Sequence, residues 1–251
     1  MDTIINVPQL IFALSAVLLW SSVWIGRAVG YWTHAQKQEK EDLSVLTNAS
    51  LTLAALVIAF SFSMAAGRYD QRKNYEEEEA NAIGTEYFRA GLLPATETAQ
   101  LRRMLTDYLS QRLLFYTTRD DVRLSQIGVE TTALQASMWS VVQAAAAERP
   151  TPPTALVVSG MNDVINREGY TQAAWLYRIP FGAWYMMAAL AVCCSFLVGF
   201  GANRHDILLF TGLPLIIAVT FLLISDIDSP RHGIIRVHPQ NLISLSQSLG
   251  K

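Results

Sequence analysis

The chain is poor in charge and nearly devoid of cysteine. Asp, Glu, Lys and Arg make up 16% of its 251 residues and balance to a formal net charge of −2, which points to no nucleic-acid partner. The two cysteines, Cys193 and Cys194, are adjacent within an apolar run. A vicinal pair is no structural staple, and buried thiols behave as small hydrophobes. The histidines (His34, His205, His232 and His238) have no ligand-like spacing. HExxH, CxxC, GxSxG and a Gly-rich phosphate loop are all missing. The apolar runs hold no ionisable residue except Arg27 at one end, whereas an intramembrane protease or proton pump needs such groups inside a span. Neither an enzyme nor a cofactor is expected. The N-terminal run lacks the basic start and small-x-small cleavage site of a signal peptide and is too long to be one.

What the chain does have is apolar length. Its residues are 51% hydrophobic, gathered into runs at 7–32, 43–66, 179–202 and 207–224. Each offers about 18 or more residues, enough to span a bilayer as a helix. A soluble core of this chain length could not hide four helices that are apolar all round. Four spans place the N-terminus, the long insert 67–178 and the C-terminal tail on one face. The 34–42 loop and the 203–206 turn fall on the other. Arg68, Arg72, Lys73, Arg167, Arg178, Arg231 and Arg236 outnumber Arg27, Lys37, Lys40 and Arg204, so the positive-inside rule makes the insert and both termini cytoplasmic. The expected divisions are a first transmembrane pair (1–66), a helical cytoplasmic domain (67–178), a second pair (179–225) and a cytoplasmic tail (226–251).

Residues 43–93 contain no proline. Their first half is apolar and uncharged, and their second half is rich in charge but keeps helix formers. As one helix they would run roughly 75 Å, against a hydrocarbon core of about 30 Å. Pro94 ends the run. Leu101, Leu105, Leu109, Arg112, Leu113 and Tyr116 then recur at helical spacing, followed by Leu124, Ile127, Leu134, Met138 and Val142 in a second helix over 120–148. Pro150, Pro152 and Pro153 break the chain. A third helix over 154–176 is expected to run into the third span with a kink at Pro180. The fold class is therefore an all-α membrane protein of four transmembrane helices. A helical cytoplasmic domain is inserted between the second and third, and the second span continues as a long cytoplasmic helix.

The second span is unusually polar, with Ser44, Thr47, Asn48, Ser50, Thr52, Ser61 and Ser63. At 100° per residue, Leu46, Leu53, Leu56, Phe60 and Met64 form a bulky face suited to lipid. Opposite lies a strip of Leu51, Ile58 and Phe62. It is flanked by Asn48, Thr52, Ala55, Ala59 and Ser63 on one side and by Thr47, Ser50, Ala54 and Ser61 on the other. Small residues of this kind allow close helix packing. Equally, several copies could line a pore, with hydroxyl rings interrupted by an Ile58 and Phe62 constriction that gates by dewetting. Beyond the membrane, Arg72 and Lys73 are placed for surface ion pairs with Glu76 and Glu77. In a symmetric oligomer, Glu76 or Glu79 would also repeat as an acidic ring at the cytoplasmic mouth. Asp226 and Asp228 are weak metal candidates, since a divalent site needs six or more oxygens; capping, or pairing with Arg231 or Arg236, explains them as well. Ile234, Ile235 and Val237 suggest an extended segment docking on the helical insert.

A family resemblance rests on Tyr69, Asp70, Gln71 and Arg72; on the run from Glu79 through Ala80, Asn81, Ala82, Ile83 and Gly84 to Thr85; and on Leu93 with Pro94. Ile179, Pro180 and Trp184 before the third span belong to it too, as do Asp226, Asp228, Pro230, Gly233, Arg236 and Val237 after the fourth. In order and spacing these resemble the bestrophin-like family of bacterial membrane proteins. The resemblance implies a ring of subunits, usually five, around a central ion pore lined by the second helix, in a bacterial inner membrane. Its partners would be lipid, further copies of the chain and permeant ions. The aromatic pair that often follows the Tyr-Asp stretch is missing, as is any acidic cluster like the calcium clasp of animal bestrophins, so calcium activation and anion selectivity are not carried over. The alternative is a non-conducting scaffold or signalling protein whose helical insert binds a cytoplasmic partner.

Overall fold

The computed structural model describes residues 7–33, 37–201 and 207–250. Among these there is no strand. The helices are α1 (Pro8–Trp32), α2 (Lys37–Arg89), a 3-10 turn (Ala90–Leu92), α3 (Ala95–Thr117), α4 (Asp121–Glu148), α5 (Pro152–Leu176), α6 (Phe181–Gly201), α7 (Ile207–Asp228) and α8 (Gln240–Ser248). Among the described residues, four helices are long and apolar enough to cross a membrane. The expected 203–206 turn and residues 34–36 of the expected 34–42 loop, with His34, Arg204 and His205, lie outside the described residues. Residues 37–42 open α2 rather than forming a loop.

Contacts divide the chain into two compact units, 1–69 with 178–236 and 70–177 with 237–251. The tail expected as one piece therefore changes unit after Arg236.

The first unit holds α1, α2 as far as Tyr69, α6 and α7. Hydrophobic burial gives no drive between helices in lipid, so close packing has to do the work. Glycines make that possible between α1 and α6. A Cβ on Gly26 would collide with the Phe196 carbonyl, one on Gly30 would come within 2.7 Å of the Phe200 carbonyl, and one on Gly199 would collide with the Val23 carbonyl. Ser22, one turn before Gly26, donates its hydroxyl to Val192 O at 2.8 Å. Around this seam, Leu19, Val57, Ala65, Met187, Ala191, Ile217, Phe221 and Ile224 form the buried core. α6 does not run on from α5 through a kink at Pro180. Residues 177–180 are non-helical and α6 starts afresh at Phe181, because proline disfavours helix at the residue before it.

The second unit holds α2 from Asp70, then α3, α4, α5 and α8. Asp120 caps α4 by accepting from Val122 N at 3.0 Å. Thr151 caps α5, whose first residue is Pro152, a position where the missing N–H is harmless. Leu101, Leu105, Tyr108, Ile127, Met138, Val142, Val157, Met161 and Val164 are buried. Into this core α2 sends Arg72, Glu76, Glu79, Ile83 and Glu86, all buried and spaced by alternating steps of four and three residues, which keeps one helix face inward.

Buried charges are tolerable only when paired. Arg112 of α3 donates Nε–H to Glu79 Oε1 and lies 3.5 Å from Glu168 Oε1. Tyr116 and Thr171 donate to Glu79 Oε2 at 3.3 and 3.1 Å. Gln172 donates to Glu168 at 2.6 Å. Burial opposes the Arg112 charge, and Glu79, Tyr108 and Glu168 together outweigh it, holding the guanidinium above its usual range. Burial, and after it the Glu79 charge, push the Tyr108 and Tyr116 hydroxyls up, so both remain neutral phenols.

Four substitutions test this packing. Gly199→Leu should destabilise the detergent-purified protein by about 1–3 kcal/mol through overpacking, read as a lower melting temperature. Gly67→Ala, in a helix where an added Cβ meets nothing within 4 Å, should leave stability unchanged or raise it by up to about 1 kcal/mol. Arg112→Ala, which strands Glu79 as a buried charge, should cost about 3–5 kcal/mol in chemical denaturation. Glu79→Gln should cost less, because Glu168 remains as counter-ion to Arg112.

Candidate functional site

The span of α2 is the element on which the sequence places a pore. Its inward face in the first unit is Ala54, Val57, Ser61 and Ala65, all buried, and Ser61 returns its hydroxyl proton to Val57 O at 2.9 Å. Of the two small-residue flanks of the Leu51, Ile58 and Phe62 strip, the one carrying Ala54 and Ser61 is thus used for packing within the chain. The other flank stays open, with Asn48, Thr52, Ala55, Ala59 and Ser63 all exposed. Thr52 donates to Asn48 O at 2.9 Å, which satisfies its proton but leaves the oxygen facing outward.

The strip itself straddles the border between these faces. Leu51 is half-buried, Ile58 is half-buried against the first unit's core, and Phe62 is 39% exposed. Val45, Leu46, Leu53, Leu56, Phe60 and Met64 are also exposed, so one side of the open surface is bulky and the other small and polar.

The acidic candidates lie elsewhere. A ring at a mouth needs carboxylates open to solvent, and the structure buries both. Glu79 accepts from Arg112, Tyr116 and Thr171. Glu76 accepts from Leu242 N at 2.9 Å and Asn241 Nδ2 at 2.6 Å, so it occupies the N-terminus of α8, where amides are unsatisfied and the dipole favours an anion. Arg72 likewise lies in the interior rather than on the surface, and donates to the carbonyls of Ala174 and Tyr177, both at 3.1 Å. The sign of this burial is the stripe itself. Glu76 and Glu79 share their helix face with Ile83, and Arg112 falls on the apolar face of α3 with Leu105 and Leu109.

Asp226 and Asp228 lie in the last turn of α7 and hold the main chain that packs against it. Asp226 accepts from Ile234 N at 2.7 Å and Ile235 N at 2.8 Å. Asp228 accepts from Ile179 N at 3.1 Å, and Arg178 donates to its main-chain oxygen at 2.6 Å. Their partners are therefore main-chain amides rather than Arg231 or Arg236 alone, and among the described residues no group of three or more His, Cys, Asp or Glu gathers as a metal site. Gly233 is required here by close approach, since a Cβ would collide with the Asp226 carbonyl. The extended segment of Ile234 and Ile235 is held by Asp226 in the first unit, and the helix α8 beyond it was not foreseen. Also missed was the GxxxG spacing of Gly26 and Gly30, a recognised helix-packing pattern.

Among solved structures, the chain is similar to a bacterial bestrophin homolog from Klebsiella pneumoniae. One point mutant of that protein aligns at TM-score 0.66 and 14% identity over 95% of this chain and 97% of the other. A second mutant aligns at 0.67 and 14% over 95% of each, and a form phased with zinc at 0.63 and 14% over 95% and 94%. At that identity the likeness speaks for the fold. No curated protein matches. The Bestrophin-like domain family model covers residues 13–242, nearly the whole chain, and the protein belongs to the bestrophin-like family.

Proposed function

We propose that copies of this chain assemble into an ion channel whose pore is lined by the span of α2. The observation that carries this reading is how bare that span is. Only 6% of its apolar stretch is buried, against 22% to 44% in the other three. It nevertheless presents Asn48, Thr52 and Ser63 on its open side, where polar groups facing hydrocarbon are costly. Copies arranged around a wet axis would cover the helix and hydrate those groups together. Family membership supports the same reading.

In this arrangement Leu51, Ile58 and Phe62 narrow the pore, and Asn48, Thr52 and Ser63 supply polar rings beside the constriction. Phe62 is the more forward of the gating pair, with Ile58 braced from behind by its own subunit. Glu76 and Glu79 have no part in the mouth and serve the packing around α2. The resemblance to bestrophins favours a pentamer. The basic-residue balance favours a bacterial inner membrane with the insert and both termini in the cytoplasm. Lipid, identical subunits and permeant ions are the partners, with no catalytic role.

Planar-bilayer recording of the purified protein tests this. Wild type should give discrete unitary currents, and Ile58→Ala with Phe62→Ala should raise the open fraction several-fold. Phe62→Ala alone should produce most of that increase. Absence of current from wild type and double variant alike would defeat the channel reading and leave a scaffold.

A further inference from the structure

Glu86 differs from the other buried acids of the chain. It sits on the inward stripe of α2 and is fully buried, yet neither carboxyl oxygen has a hydrogen-bond partner. Glu76, Glu79, Asp226 and Asp228 are each held by donors. An ionised carboxylate in such a place bears a desolvation cost that no hydrogen bond offsets and that the Arg89 charge offsets only in part, whereas a neutral carboxyl bears far less.

Gly160 of α5 makes the room for it. A Cβ at that position would collide with Glu86 Oε2 and come within 2.6 Å of Arg89 Nη1, so the carboxyl rests directly on the α5 backbone. The charges that act on it are Arg89 and Asp163, and each cation of the neighbouring helices has a partner of its own. On α2, Arg89 lies 4.0 Å from Asp163 of α5. Arg167 of α5 donates to Glu78 at 2.6 Å. From α3, Arg102 donates to Tyr87 O at 3.1 Å and lies over the Tyr87 ring. Beside Gly160 opens a groove of about 300 Å³, lined by Glu78, Asn81, Thr85, Arg89, Asp163 and Arg167.

We propose that Glu86 is a proton-operated latch between α2 and α5. With the proton on, the neutral carboxyl packs against α5 at Gly160. When the proton leaves to solvent, the charge has to be hydrated through the adjoining groove, and the α2–α5 contact loosens. Burial raises the Glu86 carboxyl to about 8, with Arg89 opposing and Asp163 adding to the rise. An acid whose folded value is raised contributes stability that is complete below its unfolded value, near 4.5, and is lost as pH climbs through about 8. The latch is therefore tight in acid and slack in mild alkali. If α2 lines a pore, the latch places a proton sensor on the pore helix, but the latch itself does not depend on conduction.

Hydrogen exchange on the full chain in detergent, followed by mass spectrometry from pH 6 to 10 and corrected for intrinsic rates, provides the test. Opening at residues 83–90 and 157–164 should increase about tenfold between pH 7 and pH 9 and then level off, and by less than about twofold in Glu86→Gln. Infrared titration of wild type should show a protonated carboxyl that disappears with a midpoint near pH 8, absent in Glu86→Gln. An unchanged exchange profile in Glu86→Gln would overturn the proposal. So would the lack of any wild-type carboxyl titrating above pH 6, a result that stands even if the variant fails to fold. Neither readout requires current, so failure of the latch and failure of the channel are separable.

Discussion

One helix, α2, meets two different demands on its buried side, and the rest of each unit is arranged around how it meets them. In the first unit the inward positions are Ala54, Val57, Ser61 and Ala65, small enough for neighbouring helices to approach where only packing holds them. In the second unit the inward positions are Arg72, Glu76, Glu79 and Glu86. Buried charge is expensive, so each forces a structural answer. Arg112, Tyr116 and Thr171 converge on Glu79, the N-terminus of α8 docks on Glu76, and the last carbonyls of α5 receive Arg72. Glu86 alone is left without a partner.

Much of this was legible in the sequence because it depends on length and period. Apolar runs announce the spans, the proline-free stretch announces α2, and Pro94 and the prolines at 150–153 mark where the insert turns. The failures have a common cause. A run of four glutamates reads as solvated unless its partners are known, and Arg112 lies on another helix. The spacing held the hint, because Glu76 and Glu79 keep step with Ile83 while Arg112 keeps step with Leu105 and Leu109. Asp226 and Asp228 were similarly opaque, since their partners are main-chain amides, which leave no trace in side-chain identity. The helix α8 was missed because it is only nine residues long, and the carboxylate at its N-terminus, Glu76, comes from a distant part of the chain.

The open face of α2 was partly legible. Period alone separated the bulky side of the second span from the small one, but it could not decide which small flank packs within the chain. The structure gives Ala54 and Ser61 to the chain's own core and leaves Asn48, Thr52 and Ser63 open. At 14% identity to the Klebsiella pneumoniae homolog, the fold persists while most side chains differ. That is what a design resting on helix length, small packing seams and a paired buried network would tolerate.

The central claim is that the open polar flank of α2 faces an axis shared by several copies. A cryo-EM map of the detergent-purified oligomer tests it most directly. The account predicts a symmetry axis bordered by Leu51, Ile58 and Phe62 with Asn48, Thr52 and Ser63 alongside. An axis bordered by Leu53, Phe60 and Met64, or particles with no axis at all, would contradict it.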